Sequence, residues 1–63
     1  MGAPLEIVRE ADRKRITGLS RTTFWRLEKL GLAPQRVRLG ENSIGWIRSE
    51  IDEWIAQRAA ARR

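Results

Sequence analysis

Arg21, Thr22, Trp25, Arg26 and Lys29 fall on one side of a helix when residues 21–30 are wound at about 100° per residue. The set offers cations, a hydroxyl and an indole N–H, so it is rich in hydrogen-bond donors and poor in competing acceptors. Such a surface suits a polyanion whose oxygens and base edges accept, which is the chemistry of DNA recognition. Arg21 or Thr22, in the N-terminal part of the helix, is the better placed for base edges, and Trp25, Arg26 and Lys29 for phosphates. Thr22 has the alternative role of a second capping hydroxyl. Trp25 either meets DNA or packs beneath a neighbouring element. Phe24, Leu27, Thr23 and Leu30 share the other side and are expected to face a core.

Covalent and metal chemistry find little support. The chain has neither cysteine nor histidine, so a disulfide framework and a thiolate or imidazole zinc site are excluded. Glu50, Asp52 and Glu53 cluster, but at the start of a helix, where the helix dipole accounts for them. Neither a phosphate-binding loop nor a nucleophile elbow is present. The expectation is a protein that is not an enzyme and needs no cofactor. No apolar run approaches the ~20 residues of a membrane span, and no signal-peptide core follows Met1. The protein is expected to be soluble and cytoplasmic, associated with the nucleoid, with no membrane partner.

The donor face needs a frame. Gly18 supplies a sharp turn before the helix, Ser20 an N-cap, and Gly31 a C-terminal stop. Glu10 to Ile16 is expected to form a preceding helix, offering a core only Ala11, Ile16 and the stem of Lys14 or Arg15. Leu5 to Val8 reads as a short strand or as a lead-in that packs on the core. After Pro34, Arg36-Val37-Arg38-Leu39 alternates with the period of a half-buried strand. Gly40 to Ser43 is a turn, and Ser43 to Ile47 the return strand. The expected hairpin puts Val37 and Leu39 on one face with Ile44 and Trp46. Arg36 and Arg38 then share the other face, either as a solvated strand edge or as phosphate contacts. Ser49 is expected to cap a third helix with a stripe of Ile51, Trp54, Ile55 and Ala59. Trp46 and Trp54 are expected in the core.

The order helix, turn, helix, hairpin, helix is the plan of a winged helix-turn-helix, mainly α with a small β-hairpin. At 63 residues the chain is expected to be one domain, with residues 1–4 and 60–63 as loose ends. Its formal net charge is +5, and the distribution is informative. Nine basic residues lie between Arg9 and Arg38 against Glu10, Asp12 and Glu28, whereas from Glu41 to Gln57 the acids dominate. Arg13, Lys14 and Arg15 read either as a solvated patch or as a grip on flanking DNA backbone.

The stretch Thr17-Gly18-Leu19-Ser20-Arg21-Thr22-Thr23-Phe24-Trp25-Arg26-Leu27 resembles the pattern "TGLSRSTIYRL". Arg36 to Gly40, Ile44-Gly45-Trp46 and Ser49 to Ile55 resemble its continuation "PVKLG…VGW…SEVDAWL". These are the marks of the AlpA family of small prophage and mobile-element regulators, within the MerR-like and excisionase-like winged-helix group. The resemblance spans about Val8 to Arg58. It implies a DNA-binding transcription regulator in which Ser20, Arg21, Thr22, Trp25 and Arg26 match the DNA-facing helix and the basic hairpin matches the wing. Three departures stand out. Arg13 occupies a position that is usually apolar in the family. Glu41 and Asn42 stand at the wing tip where a basic residue is common, and Trp25 replaces the commoner tyrosine.

The reading is a sequence-specific regulator bound to double-stranded DNA, with the start of the first helix helping to hold the backbone. A module this small invites self-association, cooperative binding on repeated sites, or contact with RNA polymerase or an integrase. One alternative is an excisionase-like factor that bends attachment-site DNA. Another is a small inhibitor that keeps the fold but binds a protein.

Overall fold

Two glycines and one serine set the boundaries of the first two helices. The computed structural model describes residues 5–62. Helix α1 (Glu10–Thr17) carries Glu10 and Asp12 in its first turn and Lys14 and Arg15 in its last, the order its dipole favours. It ends at Gly18, whose φ of 74° is left-handed and whose N–H donates to the Lys14 carbonyl. Helix α2 (Arg21–Lys29) starts from Ser20, whose Oγ accepts from the Thr23 N–H at 3.2 Å. It closes at Gly31, φ 72°. There the Gly31 N–H donates to the Glu28 carbonyl and the Leu32 N–H to the Leu27 carbonyl, the paired bonds of a Schellman stop.

Three short strands form one antiparallel sheet: β1 (Ile7–Val8), β2 (Val37–Arg38) and β3 (Ile44–Ile47), in the order β1-β3-β2. Ile7 and Val8 therefore form a strand, pairing with Ile47 and Trp46. Val37 pairs with Gly45 and Arg38 with Ile44. This register corrects the expected faces. Val37 and Leu39 share their face with Gly45, and Arg36 and Arg38 share theirs with Ile44 and Trp46. The cause is the turn: the Leu39 and Gly40 N–H groups both donate to the Ser43 carbonyl, so Ser43 pairs with Leu39 rather than lying in the loop. Shifting the pairing by one residue moves each side chain to the other face.

Helix α3 (Arg48–Ala61) follows β3 without a loop. Ile47 takes the N-cap position, so Ser49 lies within the first turn and does not cap it. The start is held instead by the Arg48 N–H, which donates to the Glu6 carbonyl at 2.7 Å, and by Arg48 Nε on Asp52 at 3.2 Å. The helix runs on through Ala60 and Ala61. Residues 1–4 and Arg63 lie outside the described residues.

Phe24, Trp46, Ile51 and Ala33 make the core, with Ile16, Leu19, Leu27, Ile44, Trp54 and Ile55 packed around it. Phe24 meets Trp46 and Trp54 edge-on, at centroid distances of 5.6 and 5.7 Å. Trp54 also donates its indole N–H to the Leu32 carbonyl at 2.8 Å, tying α3 to the end of α2. Several expected core positions are exposed: Ala11, Thr23, Leu30 and Ala59. Thr23 and Leu30 sit roughly 100° or more from Phe24 around the helix, at the margin of the buried face. That face is centred between Phe24 and Glu28. Ala59 lies beyond the reach of the core, and Ala11 is displaced by Arg13, the buried residue of α1. Helix, turn, helix, hairpin and closing helix together are a winged helix-turn-helix.

Candidate nucleic-acid interface

The geometry of the donor face follows from which side of α2 is buried. Phe24 and Glu28 point inward. Arg21, Thr22, Trp25, Arg26 and Lys29 are all exposed, Trp25 by 48%. Lys29 Nζ lies 5.0 Å from the Trp25 ring centroid, a cation–π stack that braces the indole at the surface. About half of the Trp25 surface is thus open to solvent. Ser20 is engaged by its cap, its hydroxyl also donating to Thr23 Oγ1 at 3.0 Å. The second hydroxyl at this cap is therefore Thr23, which leaves Thr22 facing outward.

A groove of about 820 Å³ runs between the start of α1, the donor face of α2 and the wing. Arg9, Arg21, Thr22, Trp25, Arg36 and Asn42 are among its walls. Neither Arg9 nor Asn42 is among the contact residues expected from the sequence. Arg9 reads there as one cation among many, and Asn42 as a turn residue. Only the fold brings both to the same opening. Glu10 is the acid on this groove, and it is held by Arg13.

Arg13 is fully buried. Its guanidinium donates to both Glu10 carboxylate oxygens, to Thr17 Oγ1 at 3.3 Å and to the Leu19 carbonyl at 2.6 Å. Its Cζ lies 4.6 Å from the Phe24 ring centroid and 5.6 Å from that of Trp46. The stacked guanidinium takes the apolar position, and its edge satisfies the turn between α1 and α2. Arg13 is thus neither a solvated cation nor a backbone grip. Arg15 pairs with Asp12 at 3.3 Å on the surface, and Lys14 is exposed.

The wing has two arginines with different fates. Arg36 makes a two-point contact with the buried Glu28 carboxylate, Nη2 to Oε1 at 2.7 Å and Nε to Oε2 at 3.1 Å. That hydrogen bonding holds the guanidinium pKa above its ordinary value. Arg38 is exposed and makes no ion pair among the described residues. Arg21 Nε lies 4.0 Å from Glu10, an exposed and weak contact. Among the described residues no group of three or more His, Cys, Asp or Glu side chains could hold a metal ion. No helix among them is long and apolar enough to cross a membrane.

The family model described as Prophage CP4-57 regulatory protein (AlpA) matches residues 6–59, from just before β1 to near the end of α3. This chain belongs to the AlpA family. Among its relatives is Uncharacterized protein ORF88 of Enterobacteria phage P4, 36% identical over 56 residues, covering 89% of this chain and 64% of that protein. Another is the DNA-binding transcriptional activator AlpA of Escherichia coli (strain K12), 56% identical over 25 residues, covering 40% of this chain and 36% of that protein. The chain thus spans less than two thirds of the length of either relative. Within the AlpA pattern, the departure at Arg13 changes the chemistry of the α1 core position without exposing it.

Proposed function

We propose that this AlpA-family chain is a sequence-specific DNA-binding transcriptional regulator of a prophage or another mobile element. The observation that carries the reading is the exposed donor face of α2, opening onto a groove walled by further cations and the wing. Helix α2, about 13 Å long at 1.5 Å per residue, enters the major groove. Arg21 and Thr22 meet base edges, and Trp25, Arg26 and Lys29 meet phosphates. Arg38 reaches the adjacent backbone from the wing, and Arg9 with the N-terminus of α1 holds the other flank. Glu41 and Asn42 at the tip argue against deep minor-groove insertion, because an acid there repels phosphate.

The test is fluorescence anisotropy with the DNA upstream of the chain's own gene and a scrambled duplex, across a salt series. The native duplex is expected to bind more tightly, with affinity falling steeply as salt rises. Arg21→Ala is expected to remove about 1–3 kcal/mol of that preference, as loss of a bidentate base contact does. Equal, weak binding to both duplexes would overturn the reading. A footprint is expected over a promoter, and one over an attachment site would move the reading to an excisionase.

A further inference from the structure

Glu28 has the wrong sign for its place. It lies on the helix that carries the candidate contact face, where an acid should repel a polyanion. Yet it is only 6% exposed, and its carboxylate accepts four hydrogen bonds. Arg36 supplies three, from its backbone N–H at 3.0 Å, Nε at 3.1 Å and Nη2 at 2.7 Å. The Trp46 indole N–H supplies the fourth at 3.3 Å. Arg36 immediately precedes β2 and Trp46 lies within β3, so one carboxylate holds both arms of the wing. The Glu28 backbone carbonyl adds a bond from Gln35 Nε2 at 2.9 Å, just ahead of the same strand.

We propose that Glu28 is a positioning residue that sets the wing's reach to the DNA backbone, with Arg36 as its clamp rather than a phosphate contact. The proposal rests on the DNA-binding reading above. A two-point arginine–carboxylate pair fixes a plane as well as a distance. Moving the wing would strand a buried carboxylate without partners, so the wing has one favoured position relative to α2. Arg38, two residues after Arg36 on the same face of the strand, is delivered from that position. The acid therefore supports binding to a polyanion that its charge alone would oppose.

That opposition of signs makes the test sharp. Wild type, Glu28→Gln, Arg36→Gln and the double variant are titrated by anisotropy on the preferred duplex across a salt series. Glu28→Gln is expected to weaken binding about tenfold and to flatten the salt slope by about 0.9, one phosphate contact. Arg36→Gln is expected to do the same, and the double variant to be no worse than either. Base preference at the positions read by α2 stays as in wild type. For Glu28→Gln charge alone gives the reverse, since removing an acid tightens binding to DNA. Tighter binding by Glu28→Gln would overturn the proposal. So would weaker binding with an unchanged slope, which is what a mere loss of folded protein produces. Hydrogen exchange covers the folding of the variant. In Glu28→Gln the Arg36 amide and the Trp46 indole are expected to exchange faster while the Phe24 amide stays protected. Acceleration of all three together would make Glu28 a general prop and overturn the proposal. Wild-type protein that fails to prefer its duplex would overturn the DNA-binding reading itself, and this one with it.

Discussion

Arg13 fills a core position with a charge, and each part of its guanidinium has a partner. The plane stacks on Phe24 and the N–H edge reaches Glu10, Thr17 and the Leu19 carbonyl. Truncation would leave a cavity against Phe24, a carbonyl without its donor and a half-buried carboxylate without its counter-charge. Arg13→Ala is therefore expected to cost about 2–5 kcal/mol, the scale of emptying a large buried side chain's place in a core. Arg13→Met keeps the volume and lets the partly exposed Glu10 hydrate, so its cost is expected to be nearer 1 kcal/mol, the scale of one lost hydrogen bond. Urea unfolding followed by circular dichroism measures both. Equal losses in the two variants would show that pairing, not packing, is what the site needs. Glu28 was not legible as a core residue, because an isolated acid reads as solvated surface; Arg13 was marked by the family resemblance alone, since a run of three cations reads the same way. The donor face was legible, because position around a helix depends only on spacing. Arg36 shows the limit of that logic: its residue type suits a phosphate, and spacing along the chain gives no sign of its pairing with Glu28 eight positions away.

The elements were more legible than their mutual register. Gly18, Ser20 and Gly31 act through local geometry, and local geometry is written in adjacent residues, so both helices begin and end where those residues place them. The hairpin depends on which turn wins, and Gly40 to Ser43 suits loops of different length. The pairing observed puts Gly45 at the centre of the sheet, between β1 and β2. A Cβ there would lie 2.5 Å from Ile7 Cγ2, 3.1 Å from the Val8 carbonyl oxygen and 3.2 Å from Leu39 Cδ1. The side chains from both edge strands close over the glycine. Gly45→Ala is expected to push β1 away and cost about 1–3 kcal/mol, as overpacking does. Gly40→Ala, with nothing within 4 Å of its would-be Cβ, should stay within about 0.5 kcal/mol of wild type. Thermal melts of the two variants make the comparison, and equal melting would contradict the register. The α3 start was misplaced for a related reason. A strand that runs straight into a helix needs no side-chain cap, so the serine that looked like one is already inside the first turn.

At the scale of the molecule, the core separates the donor face of α2 from the acid-bearing start of α3. Phe24 points towards Trp54 of α3, so the donor face of α2 looks away from that helix and its exposed Glu50 and Glu53. The exposed cations of the α2 face favour approach of a polyanion from that side. The core is small, because a chain of about 60 residues buries only about 60% of its unfolded surface. Modest stability gives binding a visible thermal signature. A ligand at 100 times its Kd that binds only the folded state adds about 2.7 kcal/mol. In a domain of this size each 1 kcal/mol moves Tm by about 4–8 °C. The preferred duplex is therefore expected to raise Tm by roughly 10–20 °C at that concentration. A scrambled duplex at the same concentration should give less, since it sits far below its own Kd. Added salt should shrink both shifts, because released counterions weaken every phosphate contact. Arg21→Ala should pull the specific shift towards the scrambled one without changing Tm in the absence of DNA, since its side chain is exposed and its contact with Glu10 is weak. Equal shifts from the two duplexes at moderate salt would mean that the α2 face attracts DNA by charge without reading it, and the regulator reading would fall.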